Sequence, residues 1–144
     1  MTVNSRQTAQ AVQAMVVAAT GRSCGYSTIP TTASLPTGSA LPYFVLYELG
    51  QVSSGPPFGD ANADARLLFQ VTTVAQTPDA CSAGADKVRA GFLGRTTSGW
   101  TFPINVPDGL AVMGRELDRE DGMTVVASNY SYVQRFAVLV TTTS

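Results

Sequence analysis

The chain has no histidine among its 144 residues. That removes the commonest general base near neutral pH and the commonest side-chain metal ligand. Lysine occurs once, at Lys87, and the formal net charge is −1. Phosphate contacts need a basic stripe, so the charge gives no reason to expect tight nucleic-acid binding. There are only two cysteines. Cys24 lies in a Gly-rich loop and Cys81 in the first turn of an expected helix, with no paired spacing. Free thiols packed as small hydrophobes are the expectation, and oxidation says little about compartment. No serine stands in a Gly-x-Ser-x-Gly elbow. No apolar run reaches the length that spans a bilayer. Arg6 ahead of Ala11–Ala19, with Ala18-Ala19-Thr20-Gly21 behind, imitates a leader peptide. Gln10 and Gln13 break that run and a helix explains it better, so the chain is expected not to be exported.

What is present is apolar and sparsely charged: 44% hydrophobic and 13% charged residues. A chain of this size buries a real core without disulfides or metals, and residues 1–144 are read as one domain. A low charge in a soluble chain also suits a protein that covers much of its surface with copies of itself, because interface cores are depleted in charge.

The order of elements follows from caps and periodicity. Asn4 or Ser5 caps a first helix, with Gln7 at the capping-box position. Val12, Met15, Val16 and Ala19 make its apolar stripe, Gln10, Gln13 and Thr20 take the wet side, and Gly21 stops it. Residues 22–40 turn to Gly, Ser, Thr and Pro and read as an irregular arm. Its apolar anchors Tyr26, Ile29 and Leu35 suggest that it orders against a neighbouring subunit. Tyr43–Leu49 is a nearly unbroken apolar strand. Arg66–Gln76 alternates Leu67, Phe69 and Val71 against Leu68, Gln70 and Thr72 and is a second strand. Thr77 caps a helix with Pro78 at its first position and Asp79 on its dipole. Cys81, Ala85, Val88 and Phe92 form the buried stripe of that helix, and Gly84 within it implies close helix–sheet packing. Gly94 ends it, and Arg95–Gly99 is a polar turn. A third strand is expected near Leu110–Leu117 and a last near Tyr132–Thr141, where Phe136, Val138 and Val140 share one face. The sum is an α+β fold, a mainly antiparallel sheet with two helices on one face in the order helix-strand-strand-helix-strand-strand.

Chemistry is harder to find. The Gly50–Ala65 loop has two prolines, no lysine, and leads into a strand, which excludes a phosphate cradle. Asp60 and Asp64 are too few carboxylates for a hard cation, so no metal or cofactor is expected. Glu116, Asp118, Glu120 and Asp121 invite comparison with a carboxylate-pair hydrolase. Interleaved Arg115 and Arg119 favour ion pairing at a surface instead. The reading is a protein without an active site, expected to carry this mixed run at a strand end or loop.

One block carries a resemblance. Pro42-Tyr43 precede the first strand, Ser54-Gly55-Pro56-Pro57 with Asp60 and Asp64 fill the loop, Phe69-Gln70-Val71-Thr72 lie in the second strand, and Leu93-Gly94-Arg95-Thr96 follow the helix. In this order and spacing the block resembles the tail terminator, or tail-completion, proteins of long-tailed bacteriophages. The match is best from Pro42 to Thr97, fair in the last strand and poor from Arg22 to Ala40. It implies a virion protein of the tail–neck region that forms a homo-hexameric ring on the head-proximal end of the tail tube. The ring would stop polymerisation of the tube protein and offer its other face to the head–tail connector or neck protein. Genomic DNA would pass through the lumen without specific binding, and no membrane is involved. Another neck protein, for head completion or head–tail joining, is the alternative; a small enzyme using the acidic cluster is the more distant one. The candidate ring contacts are the arm anchors Tyr26, Ile29 and Leu35, the loop residues Phe58 and Asp60, and Arg95 after the helix. The charged run adds Arg115, Asp118, Arg119, Glu120 and Asp121.

Overall fold

The computed structural model describes residues 3–27, 31–32, 35–36, 42–54, 64–126 and 128–143. Two helices, α1 (Ser5–Thr20) and α2 (Pro78–Leu93), lie on a five-stranded sheet. Its strands are β1 (Cys24–Tyr26), β4 (Tyr43–Ser54), β5 (Asp64–Ala75), β9 (Asn129–Thr142) and β8 (Leu110–Val126), in the spatial order β1-β4-β5-β9-β8. All neighbours pair antiparallel except β1, which runs parallel to β4. Two small hairpins complete the chain: β2 (Thr31–Thr32) with β3 (Leu35–Pro36), and β6 (Arg95–Thr96) with β7 (Gly99–Trp100). The fold is α+β, as the order of elements implied.

Local signals place the helices. The Asn4 carboxamide accepts from the Gln7 amide, and Gly21, at φ 69°, closes α1 in the left-handed conformation. The Thr77 hydroxyl accepts from the Ala80 amide, with Pro78 opening α2. Val12, Met15 and Val16 of α1 and Cys81, Ala85, Val88 and Phe92 of α2 are buried. Thr20 corrects the wet-side expectation: it is 6% exposed and bonds back to the Val16 carbonyl. Gln13 is half-buried and donates to the Cys24 carbonyl, which ties α1 to β1.

The sheet has two unlike faces. Leu67, Phe69 and Val71 of β5 pair with Val138, Phe136 and Gln134 of β9, and this row lies under the helices. Phe92 of α2 stacks on Phe136 with ring centroids 4.0 Å apart and planes within 1°. Burying each such ring contributes about 1.5–3 kcal/mol. The opposite row holds Tyr43, Val45 and Tyr47, then Leu68 and Val74, then Val133, Ala137 and Leu139. Among the described residues no helix covers it.

Two departures from the expected layout matter. The arm contributes β1 to this chain's own sheet, while Ile29 and residues 37–40 lie outside the described residues. Most of the Gly50–Ala65 loop, including Phe58 and Asp60, also lies outside them. The third strand does not stop at Leu117 but runs to Val126, so the charged run sits inside a long edge strand rather than at a strand end or in a loop. Register shifts at Met113, Asp118 and Asp121 make this possible, each adding one residue opposite β9. The bulges carry charge into an edge, a standard protection against unwanted pairing.

Two glycines set the distance between layers. A Cβ at Gly84 would lie 2.7 Å from Thr73 Cγ2 and 3.3 Å from the Phe44 ring. At Gly91 it would lie 2.7 Å from Ala19 Cβ and 3.1 Å from Met15 Sδ. Alanine would add helix propensity of about 1 kcal/mol, against about 1–3 kcal/mol of overpacking in a filled core. The Ala19 methyl has no rotamer to escape into, so Gly91→Ala is expected to destabilise more than Gly84→Ala. Urea unfolding of both variants checks the order.

Candidate interaction surface

The charged run of β8 is a set of ion pairs laid across neighbouring elements. Arg66 of β5 reaches over β9 and donates to Glu116 and Asp118, each at 2.9 Å. Ala137, the β9 residue between Leu68 and Glu116 in the register, has the small side chain that this crossing requires. Arg119 pairs with Asp121 along the strand itself. Arg89 of α2 holds Asp86 at 2.7 Å on its own helix and Glu120 at 2.7 Å on β8.

Glu120 is the centre of the best-ordered group. It also accepts from Gln134 Nε2 at 2.8 Å and from the Tyr132 hydroxyl at 3.3 Å. Gln134, fully buried, donates in addition to the Ala85 carbonyl at 3.2 Å. Burial alone raises the Glu120 pKa, but the bonds from Gln134 and Arg89 outweigh it and the carboxyl titrates below its ordinary range. The network joins α2, β8 and β9, and it is polar where the rest of that row is apolar.

Arg115 departs from the expectation of an exposed contact. It is 8% exposed, and its Nη1 donates to the Phe102 carbonyl at 2.7 Å and to the Gly91 carbonyl at 3.3 Å. Those groups include carbonyls of the last turn of α2, the negative end of the helix dipole. The guanidinium carbon stands 4.5 Å from the Trp100 ring centroid, and that of Arg95 stands 4.9 Å from the same ring. Burial lowers the Arg115 pKa, yet a guanidinium keeps its proton. Arg115 therefore locks α2, the β6–β7 hairpin and β8 together, and Arg95 joins it through Trp100.

The other sequence candidates separate. Asp118, Arg119, Glu120 and Asp121 are gathered on β8. Tyr26 lies at the opposite edge, on β1, where its hydroxyl donates to the Glu48 carboxylate and its pKa is pushed up to about 12 by that bond. Leu35 falls in β3, its backbone paired with Thr32. Reasoning from the sequence missed Arg66 and Arg89 as the counter-ions of the run. It also missed Gln134, although an amide in the same alternating row as Phe136, Val138 and Val140 is the signal of a buried polar contact. Both cysteines are free and buried; burial pushes the Cys24 thiol up to about 12.

The arrangement is one of ion pairs and hydrogen bonds. The carboxylates of the run are held by arginines, and among the described residues no three His, Cys, Asp or Glu side chains converge on a metal position. Two shallow cavities, of about 200 and 160 Å3, flank the helices, below the roughly 300–1,000 Å3 of small-molecule sites. Among the described residues no helix is long and apolar enough to cross a membrane.

No protein-family model matches the chain, and no curated protein matches it. Among solved structures, a chain described as "Virion of native gene transfer agent (GTA) particle" has the same fold. The TM-score is 0.62 at 18% identity, over 93% of this chain and 92% of that one. At that identity the likeness is one of fold, and it extends across nearly the whole of both chains.

Two outcomes follow from the polar groups. Arg115→Ala leaves α2 carbonyls without their donor and is expected to cost about 2–3 kcal/mol, while Arg119→Ala on the exposed edge stays within about 0.5 kcal/mol. Thermal unfolding of the pair checks this. Glu120, with its pKa depressed in the fold, adds stability that is present above the unfolded-state pKa and lost as pH falls through the folded one. Glu120→Gln is therefore expected to be less stable than the parent near about pH 7, with the gap closing at about pH 3, in urea titrations at both values.

Proposed function

We propose that this chain is a tail terminator of a long-tailed, phage-type particle. It acts as a structural subunit that assembles into a six-membered ring, caps the head-proximal end of the tail tube and provides the surface on which the head connector docks. The observation that carries the reading is the end-to-end fold likeness to a chain from a gene transfer agent virion. The sequence resemblance in the Pro42–Thr97 block points the same way.

The physical character of the molecule supports it. Stopping a stack of rings requires a subunit that fits the growing end and presents a different far face. That is a demand on shape and edges, not on reactive groups. The sheet is long, its strands are tied by ion pairs, and its outermost strand β8 leaves Met113, Leu117, Met123 and Val125 exposed. A lumen that passes DNA must not grip phosphates, and a run in which arginines are already paired with carboxylates satisfies that condition.

Particles assembled without this protein are expected to accumulate full heads and separate tails, some of abnormal length, in electron micrographs. Tails of normal length still joined to heads would refute the assignment.

A further inference from the structure

Arg115 is a buried cation without a counter-ion. No ion pair reaches it among the described residues, and arginine is almost never buried so fully unless it is paired. The carbonyls of Gly91, Phe92 and Phe102 take Nη1 alone. Nε is buried without an acceptor, and Nη2 donates to nothing among the described residues.

Arg95 repeats the pattern at the surface. It is exposed, forms no ion pair among the described residues, and lies over the same Trp100 ring. With both guanidinium carbons so near one ring centroid, they are less than about 10 Å apart, within the Debye length at roughly 0.1 M salt. Like charges at that separation repel. The C-terminal end of α2 opposes them with only about half a negative charge, so the cluster stays strongly positive. The described carboxylates are engaged elsewhere. Glu116 and Asp118 hold Arg66, Asp86 and Glu120 hold Arg89, Asp121 holds Arg119, and Glu48 accepts from Tyr26. Asp79 lies in the first turn of α2, the end away from Arg115. Asp64, which opens β5, and Asp108, ahead of β8, form no ion pair among the described residues.

We propose that Arg95, Trp100 and Arg115 form an anion site, and that its ligand is the carboxylate of an acidic side chain on a protein partner. The planar fork of a guanidinium matches a carboxylate bidentately, and stacking on the indole holds the Arg95 fork in place before the ligand arrives. A nucleic-acid backbone needs a row of free cations, whereas Arg66, Arg89 and Arg119 around this site are already paired and the chain carries a net charge of −1. Met113 and Leu117, two residues to either side of Arg115 on β8, are exposed apolar side chains of the kind a protein surface covers. The site does not depend on the ring reading, and it adds a recognition chemistry which that reading leaves open.

Trp100 is the only tryptophan, so its emission reports on the site directly. Blocked glutamate (N-acetylglutamate N-methylamide), blocked glutamine and sodium phosphate are titrated at constant ionic strength into the full chain and into Arg95→Gln. Arg95 is exposed, so the variant should fold; circular dichroism checks this. Blocked glutamate is expected to change the parent's emission saturably, and to bind at least about tenfold more weakly to Arg95→Gln, as blocked glutamine does to the parent. Arg95→Lys, which keeps the charge and loses the fork, should fall between parent and Arg95→Gln. Urea unfolding followed by circular dichroism gives a readout free of emission: blocked glutamate should raise the parent's midpoint and leave that of Arg95→Gln unmoved. The site is overturned if blocked glutamate moves neither readout, if it moves both alike in parent and Arg95→Gln, or if blocked glutamine does as well. Phosphate binding about tenfold more tightly than blocked glutamate overturns the carboxylate assignment in favour of a phosphate ligand. Normal tails in particles lacking the protein would refute the terminator role and leave these titrations as they stand.

Discussion

The rest of the structure depends on how closely α2 lies on the sheet. Phe92 stacks flat on Phe136, which requires the helix axis to approach the β9 row without an intervening side chain. Gly84 permits that approach over Phe44 and Thr73, and Gly91 permits α1 to nest against α2. One glycine therefore sets the height of the helix layer and the other its width. The cost of each in helix propensity, about 1 kcal/mol, is offset by ring and aliphatic area that neither helix would otherwise bury.

Once α2 is seated, it holds the edge strand. Arg115 reaches from β8 to the last turn of the helix, and Arg89 reaches from the helix to Glu120 on β8. Exposed ion pairs contribute little by themselves, on the order of 0–1 kcal/mol. Here they act together on the C-terminal half of one helix and are joined to the buried amide of Gln134. Their effect is to fix which residues of a bulged strand face inward. A slip of one position would put Glu116 or Asp118 under the helix and Arg115 into solvent.

Much of this was legible in the sequence, and the boundary of what was legible is physical. Both helices, with their caps, and the pairing of the first two long strands follow from local signals: Asn4, Thr77-Pro78, Gly21, and the alternation of Leu67, Phe69 and Val71. Those signals need only the neighbours within a turn or a strand. The length of β8 was missed because a run of six charges among seven residues reads as a solvated loop when its counter-ions are invisible. Arg66 and Arg89 stand far away in the chain, and only the sheet order β5-β9-β8 and the lie of α2 bring them over the carboxylates. Thr20 was misjudged for a smaller reason, since a hydroxyl that bonds back to the preceding turn is no longer polar to its surroundings.

A long open sheet must be stiff within itself and selective at its margins, and these requirements normally conflict. Stiffness favours long, regular strands; selectivity is endangered by them, because a regular free edge pairs with any other. The bulges of β8 resolve the conflict. They let the strand run for 17 residues while breaking the ladder at three places, so a partner must match the interruptions as well as the side chains. The same device at Leu49 and Gly50 interrupts β4 on the other margin, with Gly50 at φ 107° supplying the conformation that a side chain would forbid. The contacts of Arg115 with the end of α2 and of Glu120 with Arg89 and Gln134 hold the bulged β8 edge in that shape.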